Sequence, residues 1–186
     1  MMSSLTMQKP KLSVKVQALA ALTAIVSAVA LPQLFHAMGA ISGLGTALGE
    51  TFLPMHLPVM LVGLLAGPYA GAIAGFLSPL ISFALSGMPS AVMLPFMMIE
   101  LLVYGLSAGL LRKVQLPTLA KVLTIQIAGR AIRAGAILLS VYAFGNQAVN
   151  VAVIWKSIPA GIFGIVLQLV LIPLIVYRVE SLHRHG

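Results

Sequence analysis

The sequence predicts an all-α membrane protein of six transmembrane helices. Three observations carry that prediction: an apolar composition, apolar runs divided by helix-breaking residues, and cations sorted to one side of those runs. Hydrophobic residues make up 60% of the 186 positions and charged residues 8%, with a mean hydropathy of +1.09. Soluble domains carry about 25% charged residues, so the composition excludes an ordinary globular protein. The length suits one integral membrane domain over 1–186.

A spanning helix needs about 20 mostly apolar residues. The first runs over Ser13–Leu34, ending near Pro32. Lys9, Lys11 and Lys15 ahead of Val16–Leu34 resemble a secretory leader, but this apolar run exceeds the ~7–15 residues of a leader core, so a retained helix is expected. His36–Thr51, rich in Gly, Ser and Ala, reads as an extracytoplasmic loop. Phe52–Ala66 is a short second span stopped by Gly67-Pro68. The third, Tyr69–Ser86, stops at Gly87-Met88-Pro89. The fourth covers Ser90–Leu111 and the fifth Thr118–Phe144; after the polar Gly145–Asn150 loop, the sixth covers Val151–Tyr177.

An even number of spans puts both termini on one side. With the N-terminus inside, the inner segments hold Lys9, Lys11, Lys15, Arg112, Lys113, Lys121, Arg178 and Arg184. The outer loops hold no cation except Lys156, just inside the sixth span. That sorting obeys the positive-inside rule and predicts an N-in/C-in topology. It also accounts for the net charge of +8 without nucleic acid, since no basic stripe interleaved with aromatics occurs.

Several chemistries lack their parts. There is no cysteine, hence no disulfide and no thiolate site. His36 and His56 flank the first outer loop and His183 and His185 lie in the tail, so no metal-ligand spacing forms. Gly105-Leu-Ser107-Ala-Gly109 fits the serine-hydrolase pattern, but it sits inside a helix of a chain without Asp. Close helix packing explains it better, as it does Gly67, Gly71 and Gly75. Ala20, Ala24 and Ala28 form a similar strip on the first helix.

One group stands out. Glu100 is among only three acidic residues and lies inside an apolar run, where a carboxylate is costly and marks function. Tyr104 shares its helix face, and Gln126, Arg130 and Arg133 share a face of the fifth helix. Gln168 is polar at the middle of the sixth. These faces are expected to converge on an interior cavity rather than lipid. One carboxylate cannot neutralise two guanidiniums, and the remaining charge suits an anionic small molecule. Arg133 is expected to grip its anionic end, with His56, Asn146 and Asn150 near the pocket mouth. Arg130 is expected deeper, paired with Glu100. Rival readings are an assembly protein with a sealed polar core, and an intramembrane enzyme using Glu100 and His56.

Taken in order, Met55-His-Leu-Pro-Val-Met, Gly67-Pro68, Ser78-Pro79-Leu80, Gly87-Met88-Pro89 and Ile99-Glu100-Leu-Leu-Val-Tyr104-Gly105 form a recognisable series. Ile158-Pro-Ala-Gly161-Ile and Leu167-Gln168-Leu-Val-Leu-Ile-Pro173 continue it. Over nearly the whole chain this resembles the substrate-binding S components of energy-coupling factor (ECF) vitamin transporters. The resemblance implies a multi-pass subunit of a prokaryotic plasma membrane, not an enzyme. It implies an outward pocket at the outer ends of helices four to six, capped by the loop between helices one and two. It implies a transmembrane scaffold partner and two ATPases, which use the ATP, and release inside by toppling in the bilayer. Small residues of helix one dock on the scaffold in that family; Ala20-xxx-Ala24 and Ala24-xxx-Ala28 both fit. The chain has no Walker A sequence and needs no cofactor of its own. Pantothenate leads the expected substrates, ahead of nicotinate, a pyridoxine-type vitamin and a cobalamin precursor.

Overall fold

The computed structural model describes residues 12–45 and 47–185, with side chains as far as Leu182. The described residues form helices and no strand: α1 (Val14–Ser42), α2 (Ala47–Phe52), α3 (His56–Ala66), α4 (Pro68–Ser86), α5 (Leu94–Leu111), α6 (Thr118–Tyr142), α7 (Ala152–Ala160) and α8 (Ile162–His185). Six stretches among them are long and apolar enough to cross a bilayer: Val14–Ser42, Ala47–Ala66, Pro68–Ser86, Leu94–Leu111, Thr118–Tyr142 and Ile162–Leu182. The predicted all-α class and six spans are therefore present. Lys9 and Lys11, and the side chains of His183, Arg184 and His185, lie outside the described residues.

Two boundaries differ from expectation, each for a physical reason. Pro32 does not end α1; the helix passes through it to a left-handed Gly43 at φ 74°. Proline removes one backbone donor, a loss that a helix packed on its neighbours absorbs. Much of the expected first loop is thus helical, as the end of α1 and as α2. The expected sixth span is broken at Gly161, so that α7 stops short and α8 alone crosses. Pro159 sits just before that break and cannot donate in a continuing helix.

Legs alternate in direction. Pro32, Ser82, Glu100 and Arg133, from four of them, line a cavity toward one end. Lys15, Arg112, Lys113, Lys121 and Arg178 gather at the other, which we term the basic end. Arg112 is tied in there: burial lowers its pKa from the ordinary value, and Glu180 on α8 opposes that shift. Exposed Tyr142, Phe144 and Trp155 ring the cavity end, and exposed Tyr69 and Tyr177 the basic end. Amphipathic rings at two levels are what membrane interfaces select.

Helix α3 occupies the centre. Val59, Met60 and Leu64 of α3 pack with Ala28, Leu101, Tyr104, Ala108, Val122, Ile125 and Ile172. The most extensive pairing joins α4 to α5. There Gly71 and Gly105 meet backbone to backbone, and a methyl on either would strike the other's carbonyl. Gly109 rests likewise on Pro68, and Ser107 Oγ donates to the Val103 carbonyl of its own helix at 2.5 Å. The G-x-S-x-G sequence is a packing surface, as its mid-helix position predicted.

On α1 the alanine strip turns inward. Ala28 is 0% and Ala24 6% exposed; Ala24 packs with Val62, Ala66, Ala70 and Ala74. Only Ala20 of the three is half-buried. The outward face instead carries Thr23 and Ala30, both exposed, with half-buried Ser27 between them. Both hydroxyls are satisfied along their own helix, Thr23 by Leu19 O at 2.9 Å and Ser27 by Thr23 O at 2.9 Å.

Candidate functional site

Antiparallel α5 and α6 bring the charges together. Gly129 on α6 lies against the Tyr104 ring on α5, where a Cβ would collide with the ring carbons. One turn toward the cavity from each of these residues stand Arg133 and Glu100. Arg133 Nη1 donates to Glu100 Oε2 at 3.2 Å, and Tyr104 Oη donates to Glu100 Oε1 at 2.9 Å. Glu100 is 2% exposed. A carboxylate so deep is tolerable because both oxygens are engaged, one by a guanidinium.

This reverses an expectation. Arg133, not Arg130, is the partner of Glu100. The register set by Gly129 and Tyr104 puts Arg133 level with the carboxylate, whereas counting along α6 alone placed it at the mouth. Arg130 forms no hydrogen bond or ion pair with a described residue, and its Nε is buried without a partner.

These groups close a cavity of about 550 Å³. One side of its wall is Pro32 and His36 of α1 with Gly49 and Glu50 of α2. Leu53, Met55 and His56 continue it into α3, and Met88 and Met93 line the approach to α5, with Met97 on α5 itself. Helix α7 completes it with Val153, Lys156 and Ser157. His56 is 3% exposed, with Nδ1 unpaired and its ring 5.3 Å from that of Tyr104. Three formal cations (Arg130, Arg133, Lys156) face two carboxylates (Glu50, Glu100). No Phe, Tyr or Trp is among the described lining residues.

Other expected site residues stand elsewhere. Gln168 belongs to a buried amide relay, accepting from Gln126 Nε2 at 3.0 Å and donating to Leu53 O at 3.3 Å. It supports the rim, since Leu53 lines the cavity and holds a positive φ of 47°. Asn146 donates to Ser140 Oγ at 2.9 Å and accepts from Ala148 N at 2.9 Å. Asn150 accepts from Ala152 N at 2.8 Å, closing a turn just ahead of α7. Neither asparagine lines the cavity: both are used locally to shape the loop, as Asn often is in turns.

Sequence reading missed Glu50 and Lys156, taking one as a loop charge and the other as part of a continuous span. The signal for Lys156 was Pro159-Ala-Gly161, which marks a break and turns α7 toward the cavity. Gln33, also unpredicted, ties α1 to α4 nearby through Ser86 Oγ at 2.9 Å.

Among the described residues no cluster of three or more His, Cys, Asp or Glu could hold a metal ion. The arrangement is a polar-floored, thioether-walled cavity at one end of the helical bundle, with room for a small molecule. No curated protein and no solved structure matches the chain. A family profile, the ECF transporter substrate-specific component, matches residues 13–176, and the chain belongs to that family.

Proposed function

We propose that this substrate-specific component captures a small anionic vitamin in the cavity at the end opposite the basic rim, with pantothenate as the leading candidate. One observation carries the reading: a cavity of about 550 Å³ whose lining holds one more formal cation than carboxylates. A sealed polar core would need no such space. An anion entering would neutralise charge that is costly at membrane depth.

Family membership implies a transmembrane scaffold and ATPase subunits as partners, and a transporter subunit rather than an enzyme. In our reading the cavity opens outside and the basic end faces the cytoplasm of a prokaryotic cell, in accord with the positive-inside rule. ATP is used by two partner ATPases, and release follows toppling of the loaded subunit within the bilayer. Nicotinate, a pyridoxine-type vitamin and a cobalamin precursor remain behind pantothenate as candidates. The absence of aromatic rings from the described lining favours an aliphatic body over one held by stacking.

The packing of α1 supports a reading of the scaffold-facing surface. Since Ala24 and Ala28 are buried in the bundle, we assign docking to Thr23, Ser27 and Ala30, small residues at helical spacing on the outward face, with half-buried Ala20 at its edge. The test is native mass spectrometry of the purified protein, followed by co-expression with a scaffold and its ATPases. A co-purifying vitamin and a stable complex are expected. A chain that carries nothing and joins no complex overturns the proposal.

A further inference from the structure

The cavity floor assigns separate tasks to its two arginines, and this assignment rests on the binding role proposed above. We infer that the substrate is an aliphatic monocarboxylate with a second hydrogen-bonding group, its carboxylate held by Arg130 and the second group by His56, while Arg133 positions Glu100.

Arg133 is already engaged by Glu100 at 3.2 Å. The other oxygen of that carboxylate is taken by Tyr104. Arg130, three residues away on the same helix, borders the cavity with a buried Nε that has no partner. A guanidinium offers planar paired donors that match a carboxylate, and this half-buried one leaves its Nε without a partner. His56 repeats the pattern in part, being 3% exposed with Nδ1 lacking a well-formed hydrogen bond, although the ring also approaches the Leu53 backbone. Buried polar atoms are normally satisfied, and two orphans on one cavity wall point to a ligand that satisfies both.

Charge sets the class. A lining with one surplus formal cation is balanced by one carboxylate, whereas a phosphate monoester brings about −1.5 to −2. The walls agree. Met88, Met93 and Met97 offer flexible thioethers that mould to irregular aliphatic shapes.

The experiment uses the full chain in lipid nanodiscs, with calorimetry against two acid–amide pairs: pantothenate with pantothenamide, and nicotinate with nicotinamide. The co-purifying compound is identified in parallel. An aliphatic acid is expected to bind at least about tenfold more tightly than its amide, the loss of one charge-assisted contact. Arg130→Gln should erase that preference without lowering the unliganded melting temperature. His56→Phe, which keeps a ring beside Tyr104, should weaken binding of the acid and its amide alike. Arg133→Gln should lower the melting temperature yet retain the preference for acid over amide.

Equal affinity for acid and amide overturns the inference. So does a preference that survives Arg130→Gln, or one lost in an Arg133→Gln protein of unchanged stability. A neutral, cationic, aromatic or phosphorylated compound co-purifying with a chain that still joins the scaffold also overturns it, and leaves the substrate-binding role standing. Failure to join the scaffold with no compound bound removes that role itself.

Discussion

Gly129 gives the Tyr104 ring its seat, and the Arg133–Glu100 ion pair stands one turn away from that contact. The glycine is needed for space alone, since any side chain would meet ring carbons. Gly129→Val is therefore expected to cost about 1–3 kcal/mol as an overpacked site. It should also displace Tyr104 from Glu100. Thermal unfolding in detergent, with ligand affinity on the same preparation, checks both. A variant as stable as the parent would mean that α5 and α6 can slide without consequence.

Glu100→Ala leaves the Arg133 guanidinium without its counter-charge. Breaking a buried pair from one side costs about 3–5 kcal/mol, mainly through the stranded partner. The expected result is a lowered melting temperature even without ligand. Adding Arg133→Ala should recover part of the loss, because the double variant strands no charge. Additive losses in the double variant would show that the pair is not coupled.

On α1, neighbouring positions are expected to respond in opposite ways to the same bulky residue. Ala24→Trp forces an indole between α1 and residues such as Ala66 and Ala70, so the isolated protein should lose stability. Thr23→Trp places it on the outward face, leaving folding and ligand binding intact while blocking assembly with the scaffold. Pull-down and calorimetry on the two variants separate the cases. Normal assembly of Thr23→Trp moves the docking face elsewhere.

The N-in/C-in topology is checked with single cysteines, since the chain has none of its own. Gln147, between α6 and α7, and Pro117, before α6, are both exposed. In intact cells an impermeant thiol reagent should label Gln147→Cys and spare Pro117→Cys. The reverse pattern would invert the protein in the membrane, and equal labelling would contradict an even number of crossings.

How much of this was legible beforehand depended on the kind of signal. Long apolar runs and their Gly-Pro stops survive in any packing, so Gly67-Pro68 divided α3 from α4 as read. Glu100 announced itself, because a carboxylate inside an apolar run requires a partner. Which arginine answers it was not legible: that depends on the register of α5 against α6, where Gly129 and the Tyr104 ring meet, and a single helix read alone does not give it. Pro32 misled because a proline reads as a stop, while tertiary packing carries α1 through it. The alanine strip misled because small residues serve equally at an internal helix crossing and at a partner surface. Asn146 and Asn150 sat near enough to the mouth in sequence, but their side chains were already committed to their own loop.

The length of α1 has a consequence for how such a protein can diversify. Its 29 residues reach about 43 Å at 1.5 Å per residue, against about 30 Å of hydrocarbon to be crossed. Counted from Val14, the turns carrying His36 lie beyond that thickness, and with Gly49 and Glu50 they form one wall of the cavity. Polar or charged replacements there weigh less on insertion than the same replacements in the lower turns. Side chains of that wall can change with the substrate while the lower turns keep the contacts that hold α1 in the bundle, so one rod divides selection between two tasks.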